Sequence, residues 1–254
     1  RLFKVKNSGQ SQNLYKLVSQ LPKGKRWESW RRWQVEYELI RRQDKKACEF
    51  INEESKTNSQ NFWQMGRIFC LSIEGKKDQS DFILDLIKSR GFEDEIFELL
   101  FQSIYDEVDI VEINNRKNKI QPLHIVMMDT LKIPIKANYI AHLGIEYTDS
   151  LLSLNYLTSK ARSFLLDKKM NYSFVSVDQI IENYKSVADA NVEFEKAFTN
   201  FINKPNGSHR ANLWLSIINM KDEIKQAKSI LNVIKSETNN GRFNDVISLY
   251  LTIL

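Results

Sequence analysis

The residue types that most often carry chemistry are few and scattered in this chain. His124, His142 and His209 stand too far apart for any two to form an i, i+4 pair on one helix, and neither Cys48 nor Cys70 has a CxxC partner or a histidine at ligand spacing. All five side chains therefore read as structural, with the cysteines as reduced thiols acting as small buried hydrophobes. No GxxxxGK[ST] loop, GxGxxG turn, GxSxG elbow or HExxH helix occurs. Nucleotide-dependent and metalloprotease chemistry lack their usual handholds, and no cofactor or metal is expected. Glu146, in "GIEYTDS" at 144–150, is the carboxylate nearest in context to a general acid, since it sits beside a turn. It has no placed partner carboxylate, so it reads as a helix N-terminal acid, and no catalytic residue is assigned.

Binding character is concentrated in "KGKRWESWRRWQVEYELIRR", residues 23–42. Here Trp27, Trp30 and Trp33 alternate with Arg31, Arg32, Arg41 and Arg42, as in a platform that stacks bases and holds phosphates, or in a membrane interface. A Trp spacing of three gathers the rings on one side of a helix, however, which is what packing against a neighbour requires, so packing is favoured over a platform. These seven residues form the candidate partner surface. Charge follows the same regional pattern. Residues 1–46 hold 13 Lys/Arg against 4 Asp/Glu, whereas the rest hold 24 against 28, so the net charge of +5 comes from the amino end. Glu93–Glu112 carries eight acids and no Lys or Arg, either as a solvated helix face or as the pole opposite the basic end.

Eight Gly, four Pro and a shortage of alternating apolar and polar runs argue for an all-α chain. Apolar residues recur at helical spacing in Gln12–Leu21, Trp27–Arg42 and the segments restarting at Phe62 and Asp78, the latter taken as a cap. Pro122 opens another helix, and Ser208 is expected to cap the one through Trp214. About a dozen short helices joined by turns suggest an irregular α-solenoid, an array of helical hairpins. The polar joint "NNRKNKIQ" at 114–121 divides it into segments 1–113 and 122–254, unless the array is continuous. No run approaches the roughly 18 apolar residues of a spanning helix. The chain opens on Arg and stops within an apolar helical pattern, which reads as a fragment with missing ends. Any signal peptide lies out of view, so both cytoplasm and periplasm stay open as compartments.

"ILDLIKS" at 83–89 returns as "ILNVIKS" at 230–236, each preceded by an aromatic or apolar residue with Trp and by Lys-Asp, and followed by Gly and Phe. Such order suggests the second helix of a hairpin used twice, with Ile83, Ile87, Ile230 and Ile234 facing inward and Phe82 and Leu86 on the same face as Ile83.

"DKKACEFINEE" at 44–54, "FWQMGRIFCLSIEGKKDQSDFILDLIKSRGFEDEIFELL" at 62–100, "PLHIVMMDTLKIPI" at 122–135 and "RANLWLSIINM" at 210–220 resemble successive blocks of a group of alphaproteobacterial helical proteins sometimes labelled antifreeze-like. The resemblance implies an irregular array of helical hairpins and supplies no catalytic residue. The expectation is a non-catalytic helical-repeat scaffold or protein-interaction module with a protein partner. One alternative is a nucleic-acid-binding module acting through residues 23–42. Another is the helical accessory region of an enzyme whose catalytic part lies elsewhere.

Overall fold

Sixteen α-helices and no strand occur among the described residues, 2–22, 24–105, 119–170 and 176–253, of a computed structural model. The all-α expectation holds, with more and shorter helices than the dozen read from the sequence. The chain divides into two units, Arg1–Ile135 with Tyr139–Leu157, and Thr158–Leu254 with Lys136–Asn138.

The first unit contains α1 (Leu2–Asn7), α2 (Ser11–Val18), α3 (Glu28–Ile40), α4 (Asp44–Glu54), α5 (Asn61–Ile73), α6 (Lys77–Lys88), α7 (Glu95–Tyr105) and α8 (Pro122–Thr130). The short α9 (Ala137–Ile140), whose first two residues are grouped with the second unit, and α10 (Thr148–Leu151) follow. Pro122 occupies the first position of α8, where its missing N–H goes unneeded. Helix α3 is the axis of this unit, packing on α2, α4, α8 and α10. Its Trp30, Trp33, Tyr37 and Ile40 are buried as their stripe requires, but so are Val35 and Leu39 on the other side. Burial on every side also traps Arg31, Glu36 and Glu38, and each finds an opposite charge. Arg31 pairs with Glu54 at 3.1 Å, Arg32 with Glu36 at 3.0 Å and Lys46 with Glu38 at 3.2 Å.

The α4–α5 hairpin corrects the reading of the cysteines. Cys48 and Cys70 are joined in a disulfide with Cα atoms 5.6 Å apart, so neither is a reduced thiol. Both lie on the buried faces of neighbouring helices, and Gly66 lets those helices close in. A Cβ at Gly66 would stand 3.1 Å from Ile51 Cδ1.

The polar joint at 114–121 does not mark the division. Residues 114–118 lie outside the described residues, but α8 just beyond packs on α3 and α7, and the boundary falls after Leu157. Of the acidic run at 93–112, the part from 106 onward also lies outside the described residues.

The second unit contains α11 (Ser159–Met170), α12 (Val177–Val187), α13 (Phe194–Asn203), α14 (Gly207–Ile218), α15 (Glu223–Asn239) and α16 (Phe243–Leu251). Its core gathers Trp214, Phe201, Tyr184, Ile217, Ile230 and Val233 around α14. The cap of α14 is Asn206 rather than Ser208, because the Asn206 side chain accepts the His209 N–H at 3.0 Å. A buried ion network ties the helices together. Arg210 grips Glu237 through Nε (2.5 Å) and Nη2 (3.1 Å) and donates to both oxygens of Asp167 at 2.9 Å, while Arg242 reaches Asp167 at 2.8 Å.

Helices adjacent in sequence pack on one another, as hairpins do, but α3 with α8 and α11 with α14 join helices distant in sequence. The heptapeptide echo proves partial. Each copy lies in a helix that ends before a glycine with positive φ, Gly91 at 85° and Gly241 at 74°. Yet the two copies turn different faces inward. Leu84 and Leu231 are equivalent letters, but Leu84 is buried and Leu231 is 56% exposed, while Leu86 is exposed and Val233 is buried. Phe82, expected beside Ile83 in the core, is 69% exposed, and Asp78 sits in the first turn of α6, whose N-cap is Lys76, rather than capping it.

Candidate functional site

The seven residues of the basic, Trp-rich segment do not form one exposed surface. Trp30 and Trp33 are buried, 8% and 4% exposed, and Trp27 is half-buried with the Arg26 guanidinium 5.0 Å from its ring centroid. Arg31 is buried against Glu54, and Arg32 pairs with Glu36 while lying 4.4 Å from the Phe62 ring centroid. Arg42 bridges Asp44 at 2.9 Å and Asp129 at 3.2 Å, so it clamps the start of α4 to α8. Arg41 is exposed and donates to the Tyr37 hydroxyl at 2.9 Å. Two of the three rings at helical spacing, Trp30 and Trp33, are packing residues, and three of the four arginines are already spent on internal acids.

The same helix nevertheless builds one wall of a cleft of about 520 Å³. Trp30, Arg32, Trp33 and Glu36 of α3 meet Phe3 and Lys6 of α1, Pro122 at the head of α8, and His142, Gly144, Glu146 and Tyr147 from the turn before α10. Phe3 stands edge-on to Trp30 with centroids 5.1 Å apart, giving an aromatic side. Facing it are two buried carboxylates. Glu36 accepts from Arg32 through one oxygen and from the Tyr147 hydroxyl through the other. Glu146 is held by Lys6 at 3.1 Å. His142 stands exposed, with Nε2 2.6 Å from the carbonyl of Ile120, and the indole N–H of the buried Trp33 has no partner among the described residues.

The electrostatics follow from burial. Desolvation raises the Glu36 carboxyl above its ordinary value, and the nearby Glu146 adds to this, although Arg32 and Tyr147 pull the other way. Desolvation together with the Glu36 charge raises the Tyr147 phenol well above its usual range, so it stays a hydrogen-bond donor.

Glu146, read from the sequence as a helix N-terminal acid, is a buried and paired group inside a 3₁₀ turn, Ile145–Tyr147. Its carboxylate lies back over Gly144, where a Cβ would come within 2.0 Å of Oε2. Sequence reasoning missed Glu36 entirely. Its signal was the Arg32–Glu36 spacing of four on the flank of the Trp stripe, which places an ion pair at the edge of a buried face. The histidines do not converge, for His124 is buried between the Gln121 N–H (3.1 Å) and Asp94 (3.2 Å). No cluster of three metal-ligating side chains exists among the described residues. No helix among them is long and apolar enough to cross a membrane.

Comparisons with protein-family models, with curated proteins and with solved structures find no match to this chain.

Proposed function

We propose that the chain is a non-catalytic protein-interaction module and that the cleft of the first unit seats an apolar or aromatic side chain of the partner next to an acidic one. The observation that supports this reading is how the cleft spends its polar groups. Both oxygens of Glu36 accept from Arg32 and Tyr147, and Glu146 is paired with Lys6 through Oε1, so both carboxylates are engaged by internal cations and donors, which weighs against a role in moving a proton on a substrate. Lys6 and Arg32 are partly exposed and keep donors beyond those used internally. With the rings of Trp30 and Phe3 beside them, they suit an aliphatic or aromatic residue flanked by Asp or Glu. Internal pairing of Arg31, Arg32 and Arg42, and burial of two of the three Trp, weigh against the nucleic-acid reading.

The test is selection from a random peptide display library on the immobilised chain, with Trp30→Ala as the counter-target. Enrichment of peptides that pair an apolar or aromatic residue with an acid, and bind Trp30→Ala at least about tenfold more weakly, is the expected result. Enriched peptides that bind the variant equally well would place the binding surface elsewhere. Tight binding of single-stranded oligonucleotides, abolished by Arg41→Ala, would favour the alternative.

A further inference from the structure

Two helices, one in each unit, carry exposed outward stripes. Opposite the buried Ile83, Leu84 and Ile87 of α6 lie Asp78, Phe82, Asp85 and, at its C-cap, Ser89, all exposed, with Phe82 at 69%. On α15 the residues opposite the buried Ile230, Val233 and Glu237 are Ile224, Lys228, Leu231 and Lys235, all exposed, with Ile224 at 70% and Leu231 at 56%. Each stripe advances in steps of four, three and four residues, the spacing of a seam along which one helix packs lengthwise on another. The basic residues of α6 are turned away from its stripe and engaged by α7: Lys88 pairs with Glu98 at 2.7 Å, and Lys77 lies 5.0 Å from the Tyr105 ring centroid. The α6 stripe is thus acidic and apolar, and the α15 stripe basic and apolar.

We infer that α6 of one copy of this chain docks antiparallel on α15 of a second copy, making a head-to-tail self-association. The antiparallel register sets Asp78 against Lys235, Phe82 against Leu231 and Asp85 against Lys228. A parallel register sets Asp78 against Ile224, Phe82 against Lys228 and Asp85 against Leu231, leaving apolar residues opposite charges. Pairing α6 with α6 or α15 with α15 opposes like charges in a parallel register and sets apolar residues against charges in the antiparallel one, Phe82 against Asp85 and Lys228 against Leu231, and either way brings together two stripes of the same sign. The contact is therefore heterologous, and every copy keeps one donor and one acceptor stripe for further copies. This inference stands apart from the cleft, whose residues it does not use.

Sedimentation velocity of the full chain over a concentration series tests it. Concentration-dependent association that weakens as salt is raised is expected, because the paired charges lie at an exposed rim. Asp78→Lys with Asp85→Lys, and separately Lys228→Glu with Lys235→Glu, should each reduce association at least about tenfold while leaving helicity and melting unchanged. Mixing the two variants, or combining all four changes in one chain, should restore it, because acid again meets base. Phe82→Asn serves as an independent variant if a charge reversal disturbs folding, and it too should weaken association. A chain that stays monomeric throughout, association that ignores salt, or association retained by the separate charge reversals would overturn the inference.

Discussion

Glu36 is the residue at which burial and charge compete most openly. Its carboxyl titrates above the ordinary glutamate value in the folded chain, so between the unfolded and folded pKa values the native state holds a proton that the unfolded state has lost. The stabilising contribution of the protonated form is complete below the unfolded pKa and is lost as pH rises through the folded one. Denaturant unfolding of wild type and Glu36→Gln across this window is expected to show wild type losing stability relative to the variant as pH rises; a constant difference contradicts it.

Asp94 behaves oppositely. Burial alone would raise its carboxyl, but His124 and the backbone N–H groups of Phe97 and Ile96 hold it below its ordinary value. Asp94→Asn should therefore lower stability at neutral pH, measured by denaturant unfolding, with a loss that fades as acid protonates the wild-type carboxylate through its depressed pKa. Gly144 acts through space rather than conformation. In Gly144→Ala the new methyl occupies the seat of the Glu146 carboxylate, so the Lys6–Glu146 pair should break, and a crystal structure of the variant would show Glu146 displaced. Little of this was legible in the sequence. Glu146 stood out by its turn, but the partners that decide its state, Lys6 and Gly144, are 140 and 2 residues away and only folding joins the first to it.

Elements were legible where local rules govern them. Pro122 at the head of α8 and the buried Trp30 and Trp33 stripe of α3 both follow from spacing and helix-start chemistry. Rules of one helix do not say which helices become neighbours, and this is where the reading failed. Cys48 and Cys70 looked like inert thiols because nothing in a separation of 22 residues shows that α4 and α5 fold back face to face. Closing a loop of that length is expected to contribute about 3 kcal/mol, so reduction should lower the stability of the chain by roughly that amount. In the second unit, Arg210 holds Glu237 and Asp167 out of water at once. Arg210→Met leaves two carboxylates short of a partner and should cost about 3–5 kcal/mol, measured by thermal or denaturant unfolding. The heptapeptide echo teaches the same lesson, since five shared letters preserved a helix and its glycine stop but not the face turned to the core.

For the whole molecule, composition and the scarcity of glycine and proline were enough for the all-α class, because they reflect what every segment can form. The division into units was not, because it depends on α8 returning to α3, a contact between residues about 90 apart, as in the Arg32 to Gln121 hydrogen bond at 3.2 Å. A polar joint marks where a chain can turn, not where a core ends. At this scale the central claim is that the first unit's cleft is a binding surface rather than a site of chemistry. Calorimetric titration of a selected acidic-aromatic peptide into wild type and Lys6→Gln, at low and at moderate salt, addresses it most directly. Binding that weakens with salt and falls at least about tenfold in the variant is expected. Equal affinity for both proteins would contradict it.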